Sequence, residues 1–137
     1  MAGIQLVKLL LDTHIFIWAF ARPSLLKKDV AEALESQANE LWLSPISVWE
    51  AAILAEKGRI TLDRPYSQWI DHALTQAPFT EALLNHQIAL KSREIILPHQ
   101  DPADRFLVAT ALIYDLLFVT ADKIILDSKA VAVISNL

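Results

Sequence analysis

Short apolar runs alternate with longer amphipathic segments along the chain. Each run has four to six residues, and residues 6–11 (LVKLLL) suit a strand that is buried on both faces. The predicted strands span residues 6–11, 40–43, 78–82, 116–120 and 131–134.

The segments between the runs carry apolar residues at helical spacing, as in the stripe formed by Leu26, Val30, Ala33 and Leu34. The predicted helices span residues 13–22, 24–37 (with Ser24 as the cap), 45–57, 65–76, 84–94 and 102–114. Strands separated by helices predict an α/β fold, a parallel sheet with helices on both faces. In such sheets ligands bind beyond the carboxyl ends of the strands.

Composition narrows the classes of protein. The chain has 137 residues, enough for a single domain over residues 1–137, and 54% of them are hydrophobic, which excludes a disordered tail. Twelve basic against sixteen acidic residues give a net charge of −4, which argues against broad electrostatic binding to nucleic acid. The absence of cysteine excludes disulfides and thiolate zinc sites, and two glycines cannot build a phosphate-binding loop. With no export or membrane segment in the sequence, we expect a cytoplasmic protein.

Acidic residues stand where the strands end. Asp12 directly follows the first strand and Asp122 the fourth, and Glu50 lies early in the helix after the second strand. Asp101 and Asp104 begin the apolar helix that leads into the fourth strand. Carboxylates brought together repel one another, and their natural counter-ion is a hard divalent cation. Mg²⁺ or Mn²⁺ held in this way can activate water for phosphodiester cleavage.

Each acid also has a structural alternative. Asp12 can cap the next helix, and Glu50 completes a Ser-x-x-Glu capping-box pattern with Ser47. Asp101 and Asp104 suit a helix N-terminus, and an acid at position 122 suits a turn. The group as a whole favours a metal site, because unpaired carboxylates near a core are costly and need compensation.

Four segments together resemble the PIN-domain family, and within it the VapC-type toxins of bacterial toxin–antitoxin pairs. They are residues 9–14 (LLLDTH), 44–50 (SPISVWE), 99–111 (HQDPADRFLVATA) and 119–122 (VTAD). The segments extend from the first strand to the fourth, so the resemblance covers nearly the whole chain. No single segment is specific, but the four in this order are.

The resemblance implies a three-layer α/β/α fold with a parallel five-stranded sheet of strand order 3-2-1-4-5. It implies an Mg²⁺- or Mn²⁺-dependent endoribonuclease, whose metal-binding, catalytic acids are, by motif, Asp12, Glu50, Asp104 and Asp122. It also implies an RNA substrate, a homodimer and a cognate antitoxin whose C-terminal segment covers the site.

Some residues beside these acids keep two interpretations. Asp101 is a helix cap first and an outer-sphere helper second. Thr120 can hold a carboxylate or a water molecule beside Asp122. Arg105 and Lys123 can contact phosphate or pair with the acids.

The histidines do not indicate a zinc site, because none forms an HExxH motif. His14 and His99 lie near the acids, and we expect structural roles for both. Two other functions remain open: a PIN-fold binding module without catalysis, and a phosphoryl-transfer enzyme that forms an aspartyl phosphate. The second would want another Asp two residues after Asp12, where this chain has His14.

Overall fold

A parallel five-stranded sheet forms the centre of the molecule, which we describe over residues 7–137 of a computed structural model. The strands are β1 (Val7–Leu11), β2 (Asn39–Leu43), β3 (Thr80–Glu81), β4 (Leu117–Thr120) and β5 (Val133–Ser135). Their order in the sheet is β3-β2-β1-β4-β5, which confirms the predicted α/β/α fold and strand order. Leu6, predicted to begin the first strand, lies outside the described residues.

Helices cover both faces of the sheet. They are α1 (Thr13–Ala21), α2 (Lys28–Glu35), α3 (Pro45–Glu56), α4 (Tyr66–Thr75), α5 (His86–Glu94), α6 (Pro102–Tyr114) and α7 (Lys123–Ser128). Side chains of β1 alternate between the two cores: Leu9 and Leu11 join one apolar cluster, and Leu10 joins the other. All three are almost fully buried, so β1 is apolar on both faces, as the sequence predicts for a central parallel strand. In residues 7–137, no helix has the length and apolar character needed to span a membrane.

The predicted helix over residues 24–37 is wrong in its first part. Pro23–Leu25 forms a separate 3-10 turn, and α2 begins only at Lys28, so Ser24 is not its cap. Asn136, just after β5, holds this break from both sides. Its Oδ1 accepts a hydrogen bond from Lys27 N at 2.7 Å, and its Nδ2 donates to Leu25 O at 3.1 Å. A contact across more than a hundred residues is invisible to a local pattern.

Helix α7 was not predicted, because its six residues make fewer than two turns and show little periodicity. It begins directly after Asp122, at the end of β4. Strands β1 and β4 are neighbours, with Leu11 opposite Val119. Consequently Asp12 N donates to Val119 O at 3.0 Å, and the residues that follow the two strands meet at one edge of the sheet.

Candidate metal centre

Asp12 is held by both of its carboxylate oxygens. Oδ1 accepts from Thr13 N at 2.8 Å and caps α1, while Oδ2 accepts from Thr120 Oγ1 at 2.6 Å. Thr120 Oγ1 itself accepts from Asp122 N at 3.0 Å, which leaves the hydroxyl proton for Asp12. Burial raises the pKa of Asp12, although the hydrogen bonds from Thr120 and Thr13 oppose this shift. The carboxylate is therefore oriented, buried and costly to ionise without a cation.

Glu50 reaches the same region from α3, which packs on α1. Its Oε1 accepts a hydrogen bond from Thr13 Oγ1, so the residue after Asp12 orients a second carboxylate. Burial raises the pKa of Glu50, and the negative charges of Asp12 and Asp101 add to the rise. The predicted capping box of Ser47 and Glu50 is wrong, because the helix begins three residues earlier.

The cap of α3 is Ser44, whose Oγ accepts from Ile46 N at 3.0 Å. Ser47 is fully buried within the helix, and its Oγ lies 3.2 Å from Thr13 Oγ1. Ser47 thus does not cap the helix. It supports the Thr13 hydroxyl, which orients Glu50.

Asp104 and Asp122 meet at the side chain of His99. His99 Nε2 lies 2.8 Å from Asp122 Oδ2 and 3.5 Å from Asp104 Oδ2. One ligand atom from each of these residues can be chosen so that all three atoms lie within 4.8 Å of one another. Burial raises the pKa of Asp104 to about 7, and the charges of Asp12 and Asp101 contribute to the rise. Partial burial lowers the pKa of His99, but the hydrogen bond and charge of Asp122 outweigh it, so the net shift is upward.

Capping and site geometry coexist in the same side chains. Asp122 Oδ1 caps α7 by accepting from Ile124 N and Ile125 N, while its Oδ2 faces His99. Asp101 caps α6, accepting from Ala103 N at 2.8 Å and from Asp104 N at 3.3 Å. Asp104 is therefore in the first turn of α6 but is not its cap. In Asp122, as in Asp12, the cap fixes where the second oxygen points.

Arg105 does not contact the acids, contrary to the expectation of phosphate contact or ion pairing. It is 6% exposed, and it donates to four backbone carbonyls at 2.8–3.1 Å, those of Ser92, Ile95, Leu97 and His99. The Arg105 guanidinium thus satisfies the carbonyl of Ser92 in the last turn of α5 and three carbonyls of the segment between α5 and α6. Lys123 pairs instead with Asp127 at 3.0 Å, one turn along its own helix.

The donor set fits a hard divalent cation. The charge of Asp12 raises the pKa of Glu50, and the charges of Asp12 and Glu50 add to the effect of burial in raising the pKa of Asp104. Within residues 7–137, the ion pairs at this cluster are those of His99 with Asp104 and Asp122. Oxygen donors with excess negative charge are the ligands that Mg²⁺ and Mn²⁺ take in proteins.

Comparisons with known proteins agree with this fold. A family model described as PIN domain matches residues 9–131. Ribonuclease VapC22 of Mycobacterium tuberculosis is 36% identical over 118 residues, which are 83% of this chain and 86% of that protein.

Solved structures share the architecture at low identity. One is VapBC2 from Rickettsia felis bound to a DNA fragment from its promoter, with a TM-score of 0.70 and 14% identity over 94% of this chain and 98% of that chain. Another is a toxin–antitoxin complex from Klebsiella pneumoniae, with a TM-score of 0.64 and 23% identity over 93% of this chain and 97% of that chain.

A parallel α/β/α domain of strand order 3-2-1-4-5, with carboxylates gathered beyond its central strands, defines the PIN-like class of folds. The family model spans most of the chain, and the curated relative is similar over most of its own length. The chain belongs to the PIN domain family, as the motifs predicted, and VapC proteins are among its relatives.

Proposed function

We propose that this protein is an Mg²⁺- or Mn²⁺-dependent endoribonuclease and the toxin of a toxin–antitoxin pair. The proposal is supported by Asp104 and Asp122, which meet at His99, and by the charges of Asp12 and Glu50, which raise the pKa of Asp104. The relative named ribonuclease VapC22 supports RNA as the substrate. We further propose that residues 1–137 form one nuclease domain that acts in the cytoplasm.

The four acids would bind the cation, and neighbouring side chains would orient the acids. When bound, the cation lowers the pKa of a water molecule and stabilises the charge that develops on the scissile phosphate. Thr120 fixes Oδ2 of Asp12, and Thr13 fixes Glu50, so both carboxylates are oriented before a cation would bind. Asp101 contributes by capping the helix that presents Asp104.

An apolar groove is available for the antitoxin. It measures about 810 Å³ and lies between α1, the 3-10 turn, α2 and the segment before β3. Phe20, Leu26 and Phe79 are among its apolar lining residues, with Glu35 and Glu40 beside them. We propose that an antitoxin segment places apolar side chains here and a basic residue among the acids. Toxin–antitoxin complexes among the structural relatives support such a partner.

We also propose a homodimer. Trp49 is 55% exposed, and with Ile46 and Phe106 it forms an apolar surface between the starts of α3 and α6. Exposed apolar surface of this kind favours a symmetric contact. Light scattering at tens of micromolar should return twice the monomer mass, and the monomer mass would remove this part of the proposal.

Expression in cells tests the function as a whole. Without an antitoxin, the wild-type chain should stop growth and create new RNA 5′ ends, and co-expression of the antitoxin should prevent both. The matched control is Asp12→Asn, since Asn caps a helix about as well as Asp but is a weaker metal ligand. Equal growth arrest by the two chains would exclude catalysis and favour a binding module of the same fold.

A further inference from the structure

Within the described residues, His99 is the nitrogen donor that groups with Asp104 and Asp122. Its imidazole stands between two of the proposed metal-binding acids, 2.8 Å from Asp122 Oδ2 and 3.5 Å from Asp104 Oδ2. The side chain is 22% exposed, so it lies in the wall of the site rather than in solvent. Neither the family motifs nor the sequence pattern assigned it a role in the chemistry.

Hydrogen bonds from Arg105 fix the position of His99. Arg105 donates to the carbonyl of His99 itself at 3.0 Å, and to those of Leu97 and Ile95 just before it. Arg105 directly follows Asp104 on α6. The helix that presents Asp104 therefore also fastens the segment that presents His99, and the two side chains keep a fixed relation.

The distances are those of neighbouring ligands. Two donors at right angles around an ion, each about 2.1 Å away, are about 3.0 Å apart. The distances from His99 Nε2 to the two carboxylate oxygens, 2.8 and 3.5 Å, lie on either side of this value. Small movements of the side chains would allow all three atoms to share one cation.

We propose that His99 is a ligand of the metal in this site, together with Asp104 and Asp122, and that its nitrogen makes the site prefer Mn²⁺ over Mg²⁺. The proposal rests on the proposed function, because it assumes that the acids hold a divalent cation. Mg²⁺ favours oxygen donors, whereas first-row transition metals gain more from an imidazole nitrogen.

A different role gives the opposite effect. If His99 is a counter-ion that occupies the place of the metal, it must leave when the metal binds. Removing it would then strengthen the binding of both cations. If His99 only supports Asp122 through a hydrogen bond, removing His99 would weaken the binding of Mn²⁺ and of Mg²⁺ to the same degree.

Electron spin echo envelope modulation of bound Mn²⁺ detects a coordinated ¹⁴N nucleus directly, without any measurement of activity. The wild-type protein should show imidazole nitrogen modulation, and His99→Gln should lose it. His86→Gln is the matched control, since His86 is an exposed histidine at the start of α5, and it should keep the signal. Bound Mn²⁺ without nitrogen modulation overturns the role of His99 and leaves the proposed function standing. A wild-type protein that binds no Mn²⁺ overturns both.

Calorimetric titration with Mn²⁺ and with Mg²⁺ tests the preference. His99→Gln should lower Mn²⁺ affinity by about 10–100-fold, a loss as large as that caused by removing a residue that supports a metal ligand. The same change should lower Mg²⁺ affinity by no more than about threefold. His99→Asp restores an oxygen donor and should shift the preference towards Mg²⁺, which keeps the test open if the Gln variant folds poorly. Equal losses for both metals, or a gain for both, would overturn the proposal.

Discussion

Asp104→Asn is expected to make the metal-free protein melt higher than the wild type at pH 8 and low salt. Burial, together with the like charges of Asp12 and Asp101, raises the pKa of Asp104 to about 7, so ionising it in the folded state is unfavourable. Asn has nearly the same shape and cannot ionise. The full pKa shift of Asp104 would correspond to about 4 kcal/mol in the free energy of unfolding. Because the site is partly open to solvent, we expect about 1–2 kcal/mol, or ~3–8 °C in Tm.

The pH dependence has a definite sign. Below the unfolded pKa of Asp104, near 3.8, the carboxyl is protonated in both states and costs nothing. As the pH rises, the unfolded chain releases this proton first, so the folded state binds more protons and loses stability. The loss accumulates up to the folded pKa of about 7 and is complete above it. Asp104→Asn should therefore flatten the decline in metal-free stability between pH 4 and pH 7.

The opposite result identifies Asp104 as a first-turn acid only. In that case the Asn variant loses a favourable interaction with the helix dipole, about 0.3–1 kcal/mol, and melts lower in chelator. If Asp104 is only a first-turn acid, Mg²⁺ should raise the Tm of the Asn variant as much as that of the wild type. We expect instead that Mg²⁺ raises the Tm of the variant less. Thermal melting of both chains, with chelator and with millimolar Mg²⁺, separates the two.

Arg105→Met is expected to cause a large loss of stability. The change removes a buried guanidinium and leaves four backbone carbonyls without the donor that satisfies them. Breaking a buried charged network in this way costs about 3–5 kcal/mol. For a chain of this length that is roughly 10–20 °C in Tm.

Arg93→Met is the matched control, because it makes the same chemical change at an exposed position of α5. It should alter Tm by no more than about 2 °C, as surface substitutions usually do. An Arg105→Met protein that melts within a few degrees of the wild type would show that water replaces the guanidinium easily. The segment that carries His99 would then not depend on Arg105 for its position.

Those parts of the fold that depend on local pattern could be predicted from the sequence. The apolar run before Asp12 suits a strand buried on both faces, which β1 is, and the helix at Pro102–Tyr114 was predicted with its observed limits. The break before α2 could not be predicted, because Asn136 makes it from the other end of the chain. Short elements such as α7 carry too few residues for a period to emerge.

At the candidate site, too, some features could be predicted from the sequence and others could not. Acids after apolar strands and at the starts of helices are visible in the sequence, so the candidate acids could be named from it. What surrounds them depends on the three-dimensional arrangement. Arg105 and Lys123 are cations adjacent to acids in the sequence, yet one satisfies carbonyls inside the core and the other pairs along its own helix. His99 gave no signal beyond its place two residues before Asp101, because its contact with Asp122 joins two separate segments.

Cleavage of RNA by the purified protein tests the central claim most directly. We expect the wild-type chain to cleave RNA in Mg²⁺ or Mn²⁺, to stop in excess chelator and to resume when the metal is restored. Asp104→Asn, purified in parallel, should remain folded and show no cleavage under any of these conditions, which excludes a contaminating nuclease. Undiminished cleavage by the wild type in excess chelator, or full activity of Asp104→Asn, would contradict a metal-dependent nuclease at this cluster of acids.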